Sequence, residues 1–428
     1  VTLVSFAPAD NGCAATWDIA RGEAKARFTY TLHAKGKSLL VDVATEGGAA
    51  TRLDIGVEKG LADAKAVYIP YLTYGNDWPR VVCAPGDAGP VFLWAAPDYY
   101  HSDASELFGN STVRVEGGLG YTGGAIYKPT TAGVRNPMRE RIFINVSGEV
   151  HEVLPEIPNP TCDTGDIARE CLWCNIGQAF QNEMLSKFKA YGIEKFIACH
   201  HEVGWRQAGE SFTLRDRPAP GIGDVPLQEY SAFVRGLGYR FGTYTNYVDY
   251  APVNANWNAD NVCLDPDGEW QRAWPRCYAL KPLRAAEFEA DYAARIHERY
   301  GTTAQYCDVH TAYTPWGRTD YDARTPGAGM FKTQFNAFAR LLWNESTAHH
   351  GPVFSEGNYH WFYAGIVDGD YATMLPYGEG WKQDPIVDFD LLKMHPKMTD
   401  FGMGFGQMYY GMTTDFWNKE PGRLNPWF

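Results

Sequence analysis

Ala304-Gln305-Tyr306-Cys307-Asp308-Val309-His310 is a short, mostly apolar run that carries one acid and opens into a polar, aromatic loop. Helix-like spacing of apolar residues precedes it from Arg284 to Tyr300 and follows it from Ala328 to His349. A run of this length between two amphipathic helices predicts a buried parallel strand. A carboxylate at its end is costly unless it is solvated, paired or used. The pattern recurs at Pro352-Val-Phe-Ser-Glu356-Gly-Asn358, a second helix-to-strand passage that ends on an acid. Asp308 and Glu356 are therefore the residues to explain.

The same alternation extends outward. Helix-like Gln178 to Tyr191 leads to a strand at Lys195–His200, and helix-like Leu227 to Gly236 leads to a strand at Tyr239–Thr245. Downstream, Asp368-Gly-Asp370-Tyr and Gly402 to Gln407 read as the ends of two further strands, with a short helix at Asp388–Met394 between them. Alternation over residues 161–428 predicts a (β/α)8 barrel, incomplete at its C-terminus if the chain stops before the last unit; a doubly wound sheet is the alternative. Residues 1–160 have another grammar. Short alternating runs such as Ala26–His33, Ser38–Val43, Ala66–Tyr71, Arg80–Cys83, Gly89–Trp94 and Arg141–Val146 are separated by Gly, Asn and Asp turns and predict an antiparallel β-sandwich. Pro155, Pro158 and Pro160 mark the junction, because proline resists both helix and sheet.

The chain's 428 residues are enough to bury a large core. Its net charge of -13 argues against nucleic-acid backbones and anionic membranes as partners, and no apolar run is long enough for a membrane span. Aromatic residues make up 14% of the chain, and their planar faces suit stacking against sugar rings. Nine cysteines form no zinc-ribbon spacing: Cys171-Leu-Trp-Cys174 is a single pair, and Cys263 and Cys277 bracket a loop that a disulfide could close. Asp265-Pro-Asp-Gly-Glu269 has the composition of a calcium loop but is first a turn; a structural calcium there is the one metal expected, and no cofactor is.

On the barrel reading, strand ends deliver His200, His201, Glu202 and Trp205, then Tyr244, Asn246 and Asp249, then Asp308 and His310, then Glu356 and Asn358, then Asp370. Trp316 and Trp361 fall in loops after such strands. Two carboxylates from neighbouring strands amid amide, imidazole and indole groups suit glycoside cleavage, in which one ionised acid attacks the anomeric carbon and one protonated acid serves the departing oxygen. Asp308 is expected to be ionised and Glu356 to have the raised pKa. Two other functions fit the residues. One is a binding protein that kept the barrel without turnover; the other is a metal-dependent hydrolase or deacetylase using His200, Glu202 and a neighbouring Asp.

Tyr306-Cys-Asp308-Val309, with Thr243-Tyr-Thr-Asn246 before it and Ser355-Glu356-Gly357 after it, resembles the catalytic barrel of the endo-α-N-acetylgalactosaminidases, glycoside hydrolase family 101, and their family 129 relatives. The resemblance covers Ile193 to Gly357, with a β-sandwich before the barrel. It implies Asp308 as nucleophile and Glu356 as acid/base. Tyr244 stands where the group has a His, and the long chain between the two acids implies an inserted loop. The reading is thus a retaining glycosidase for an α-linked N-acetylgalactosaminyl or galactosyl group of a glycan or glycoprotein. The residues expected to bind substrate are His200, His201, Trp205, Tyr244, Asn246, Asp249, His310, Trp316, Asn358, Trp361 and Asp370, and the compartment is expected to be extracellular or periplasmic.

Overall fold

The computed structural model describes residues 1–370 except 57, 62, 67–80, 116–117, 155, 157, 161, 177–179, 212–213 and 357–358. Most of the expected strand at Ala66–Tyr71, all of Asn358, and the elements placed beyond Asp370 lie outside the described residues.

The first half is built of twelve strands: β1 (Thr2–Ala9), β2 (Gly12–Arg21), β3 (Ala24–Lys35), β4 (Ser38–Thr45), β5 (Arg52–Asp54), β6 (Glu58–Leu61), β7 (Lys65–Ala66), β8 (Val82–Gly86), β9 (Gly89–Pro97), β10 (Glu106–Val115), β11 (Gly118–Ile126) and β12 (Arg139–Ser147). One antiparallel sheet runs in the order β1-β2-β3-β4-β12-β9-β8-β7; the other runs β10-β11-β5, with β6 also paired to β11. Alternation puts Val43, Phe92, Trp94 and Ala96 of the large sheet on the same buried cluster as Leu107 and Ala125 of the small one. The two sheets therefore pack face to face as a sandwich.

After α1 (Gly165–Glu170) the chain alternates between strand and helix: β13 (Leu172–Ile176), α2 (Asn182–Ala190), β14 (Phe196–His200), α3 (Asp224–Gly236), β15 (Arg240–Gly242) and β16 (Tyr244–Thr245). A long excursion closed by β17 (Asp249–Tyr250) and β18 (Tyr278–Ala279) follows, then α4 (Pro282–Tyr300), β19 (Gln305–Cys307), α5 (Phe331–His349), β20 (Val353–Ser355) and β21 (Gly369–Asp370). Helix α4 starts with proline in its first turn, where no N–H is missed, and stops at Gly301, whose φ of 60° a glycine adopts freely. The CxxC expected to be incidental lies at the start of a strand that the sequence pattern did not reveal, β13.

The parallel strands run β13-β14-β15 and β16-β19-β20-β21, each beside its predecessor in sequence. Strands β15 and β16 are one line bent at Thr243. There the Gln305 Oε1 accepts from both the N–H and the hydroxyl of Thr243, each at 2.9 Å, and so bridges the bend. Gly242 is required beside it, because a Cβ would sit 2.7 Å from the Ala304 carbonyl. Among the described residues the strand order never reverses, as in a singly wound sheet and unlike a doubly wound one. The sheet also curls on itself. Trp173 of β13 lies 4.8 Å from Phe354 and 5.6 Å from Tyr306, ring centre to ring centre, although β13 pairs with neither of their strands.

The sandwich and the parallel unit share one apolar core. The loop between β19 and α5 joins them: Ser105 donates to the Gly329 carbonyl at 2.7 Å, Thr319 donates to the Ser105 carbonyl at 3.0 Å, and the Phe331 N–H donates to Ala104 at 2.9 Å. This is the inserted loop that the spacing of the acids implied. Among the described residues no helix is long and apolar enough to cross a membrane, and all nine cysteines are free thiols, Cys263 and Cys277 included.

Candidate active site

Strand pairing places the two acids. Cys307 of β19 pairs with Ser355 of β20, so the next residues, Asp308 and Glu356, leave adjacent parallel strands at the same level. Neighbouring strands are about 4.8 Å apart, which puts both acids at one end of one short arc. Asp308 is 6% exposed and Glu356 is half-buried.

Asp308 is held from both sides. Tyr306 points inward from β19 and donates its hydroxyl to Oδ1 at 2.5 Å; Tyr244 donates to Oδ2 at 2.8 Å. Asn246 Nδ2 donates to the Tyr244 oxygen at 3.0 Å and to Asp249 Oδ2 at 2.8 Å, and Asp249 Oδ1 accepts the Trp274 N–H at 3.0 Å. One chain of hydrogen bonds thus runs from Asp308 to the rim. Burial, and after it the charge of Glu356, pushes the Asp308 carboxyl well above the usual carboxylate range; the two phenols pull it down, and Asp249 adds to the push. The sequence reading expected an ionised Asp308. It could not anticipate how deeply the strand end is buried.

The backbone at Asp308 is fixed as well. Its N–H donates to the Thr245 carbonyl at 2.8 Å. Behind that strand, the Thr245 hydroxyl donates to the buried Glu345 at 3.1 Å, and Glu345 is bonded to His349 at 2.8 Å. Val309, directly after the acid, has φ +73°. A β-branched residue in the left-handed region is strained by about 1–3 kcal/mol, and such strain gathers where a side chain must be aimed.

The expected substrate contacts divide. Tyr244, Asn246 and Asp249 converge on Asp308, as described. His201 lies at the head of the loop after β14, where its burial, and after it the charge of Arg206, lower its pKa. His200 is corrected: its ring packs on Phe180 and Tyr230 of the helical layer, because residues alternate along β14 and Cys199, not His200, faces inward to Trp173. Trp205 is corrected too, being 0% exposed with its ring edge-on to Tyr300. His310 is turned away by the bend at Val309; it packs against Phe338 of α5, with Nδ1 2.7 Å from the Asp308 carbonyl. Trp316 is half-buried and packs edge-on to Phe331 and Phe362. Asp370 sits beside Ser355 in the sheet, while its side chain, that of Trp361 and all of Asn358 lie outside the described residues.

No metal site emerges at the expected places. Asp265 to Glu269 closes a hairpin turn, with Asp265 N–H on the Glu269 carbonyl at 2.8 Å, and among the described residues no group of three His, Cys, Asp or Glu side chains is gathered to hold an ion. With His200 facing the helices, the triad of a metal hydrolase is not assembled.

Two further groups lie near this chain of bonds. Glu202 is close enough for its charge to act on Tyr244, and Arg206 bonds it. Trp274 is tied by its backbone to Asp249 and is 54% exposed. Its setting in Arg272-Ala-Trp274-Pro-Arg276, far in sequence from any strand end, gave no reason to prefer it to the other loop tryptophans.

The architecture is a β-sandwich followed by a curled parallel sheet with two acids at neighbouring strand ends. No family model and no curated protein matches the chain. Among solved structures it is similar to alpha-N-acetylgalactosaminidase NagBb from Bifidobacterium bifidum. The GalNAc complex matches with a TM-score of 0.67 at 11% identity, over 88% of this chain and 71% of that one. The quadruple mutant matches with 0.66 at 13% identity, over 90% and 73%. At these identities the likeness is one of fold, and it does not single out family 101 or 129.

Proposed function

We propose that the chain is a retaining α-glycosidase on a (β/α)8 barrel, acting on an α-linked N-acetylgalactosaminyl or galactosyl group of a glycan or glycoprotein outside the cytoplasm. The observation that carries this reading is Asp308 clamped by Tyr306 and Tyr244 on the strand next to that of Glu356. The substrate class is supported by the fold shared with NagBb.

Two acids this close hold one proton between them most easily. With the proton on Glu356 the repulsion on Asp308 is gone, and two phenol O–H donors stabilise its anion. Asp308 then attacks the anomeric carbon while Glu356 gives its proton to the departing oxygen. In the second step Glu356 takes a proton from water, and that water displaces Asp308. Retention requires carboxyl groups about 5–5.5 Å apart, whereas inversion needs about 6.5–9.5 Å. Tyr244, standing where the resembling family has a His, thus serves Asp308 in place of a direct substrate contact.

The test is hydrolysis of a panel of aryl α- and β-glycosides, with the product anomer followed by NMR. Asp308→Ala should abolish turnover of every substrate. Glu356→Ala should keep activity on aryl glycosides whose leaving group departs unaided, and azide should restore part of the rate. An inverted product would end the retaining mechanism; equal loss in both variants without azide rescue would take the acid/base role from Glu356.

A further inference from the structure

We propose that the rim beside Asp308 holds a subsite for a fixed anion, a carboxylate or sulfate, carried by the leaving-group side of the substrate; the word leaving rests on the glycosidase reading above. The rim is Arg272-Ala-Trp274-Pro-Arg276, in the excursion between β17 and β18, together with Arg318 from the loop after β19.

Its position is fixed by bonds. Trp274 N–H reaches Asp249, and Asp249 reaches Asp308 through Asn246 and Tyr244. Arg318 donates to the Arg272 carbonyl at 3.1 Å, so the two loops meet, and its charge is felt by Asp249. The exposed Trp274 is therefore tied through its backbone to the chain of bonds that ends on Asp308, in the loop that Arg318 meets.

The guanidiniums of the rim lack counterions. Among the described residues Arg272, Arg276 and Arg318 form no ion pair within 4.0 Å, although nine other arginines do. Asp265 and Asp249 are the acids on which Arg318 acts, from beyond ion-pair distance, and both oxygens of Asp249 are already taken.

The arginines are also held in place. Arg272 stacks over Tyr278 and Arg318 over Tyr313, each at 4.5 Å from the ring centre. Arg276 donates to Ser211 at 3.1 Å from a backbone with φ +69°, a strained conformation for a side-chain-bearing residue. The Arg318 Nε is buried with no hydrogen-bond partner. A guanidinium stacked by its face keeps its in-plane N–H edge free, and that edge matches two anionic oxygens. A neutral sugar would stack on Trp274 alone; three unneutralised arginines at the same rim call for charge on the ligand.

The experiment uses the whole chain and three glycopeptides with α-linked N-acetylgalactosamine on one serine, flanked by Glu, Ala or Lys, together with a matched pair of sulfated and unsulfated oligosaccharide aglycones. Two unit charges about 6 Å from an anion in a water-like medium give about tenfold in affinity. The expected order of kcat/KM at low salt is Glu over Ala over Lys, or sulfated over unsulfated, with the anion's source read from which series responds. Raising ionic strength to about 1 M, where screening acts over ~3 Å, should flatten the order, as should Arg272→Gln and Arg318→Gln. Equal kcat/KM across both series in the wild-type chain would overturn the subsite. If nothing is turned over, the glycosidase reading fails separately. The subsite is then decided by calorimetric titration of the same ligands, where tighter binding of the anionic members supports it and equal or no binding overturns it.

Discussion

Replacing Tyr244 by Phe removes one oxygen and nothing else from the site. That oxygen lies 2.8 Å from Asp308 Oδ2, and Asn246, which also donates to it, retains Asp249 at 2.8 Å. A hydrogen bond to a charged group is worth about 1.5–3 kcal/mol. The phenol favours the ionised carboxylate, so its loss raises the Asp308 pKa by about 1–2 units, at roughly 1.4 kcal/mol per unit. The rate depends on ionised Asp308 and falls as pH drops through that pKa. The acid limb of kcat/KM against pH should therefore move upward by about 1–2 units, with about 10–100-fold loss at pH values below it. The assay is initial-rate hydrolysis of an aryl glycoside across pH. Tyr306→Phe, which removes the shorter bond at 2.5 Å, should shift the limb at least as far. An acid limb that stays in place while the rate drops would refute the claim that the phenol holds the anion.

Trp274→Ala should raise KM far more than it lowers kcat, because its exposed face binds sugar without touching the reacting atoms; an unchanged KM removes it from the site. Thr245→Val keeps the side chain's shape but breaks its bond to Glu345, so kcat should fall severalfold with KM unchanged while Thr245→Ser retains the rate; a variant that only melts earlier shows the bond to be structural alone. Glu140, buried in the sandwich, is pushed from 4.5 up to about 8 by desolvation. The folded chain holds an extra proton there between those values, so stability should fall as pH rises through the window. Glu140→Gln should flatten that fall in urea unfolding measured at both ends, and equal slopes in both proteins would contradict it.

The strands and helices around Asp308 were legible because an apolar run between two 3.6-period stripes has few other meanings. Helix α5, expected at Ala328–His349, spans Phe331–His349. What escaped was set by distant contacts. Strand β13 hid behind the CxxC at its start, and β11 is rich in glycine, whose weak strand preference is overridden by pairing. In the site, Asp308, Tyr244, Asn246 and Asp249 could be read as one strand-end group. The outward turn of His200 could not, because a one-residue change of register reverses every side chain. His310 was lost to a single left-handed backbone at Val309, for which a β-branched residue gives no warning.

Trp173, Tyr306 and Phe354 meet across the middle of the curled sheet and stopper it with stacked rings. On the proposed barrel and glycosidase readings, a vessel stoppered in this way has a single mouth. A glycan cannot be threaded through it, and the released sugar must leave by the route along which the next substrate arrives. Turnover therefore runs as a queue at one door. The freed sugar should compete directly with incoming substrate, and any lengthening of the rim loops would slow entry and exit together.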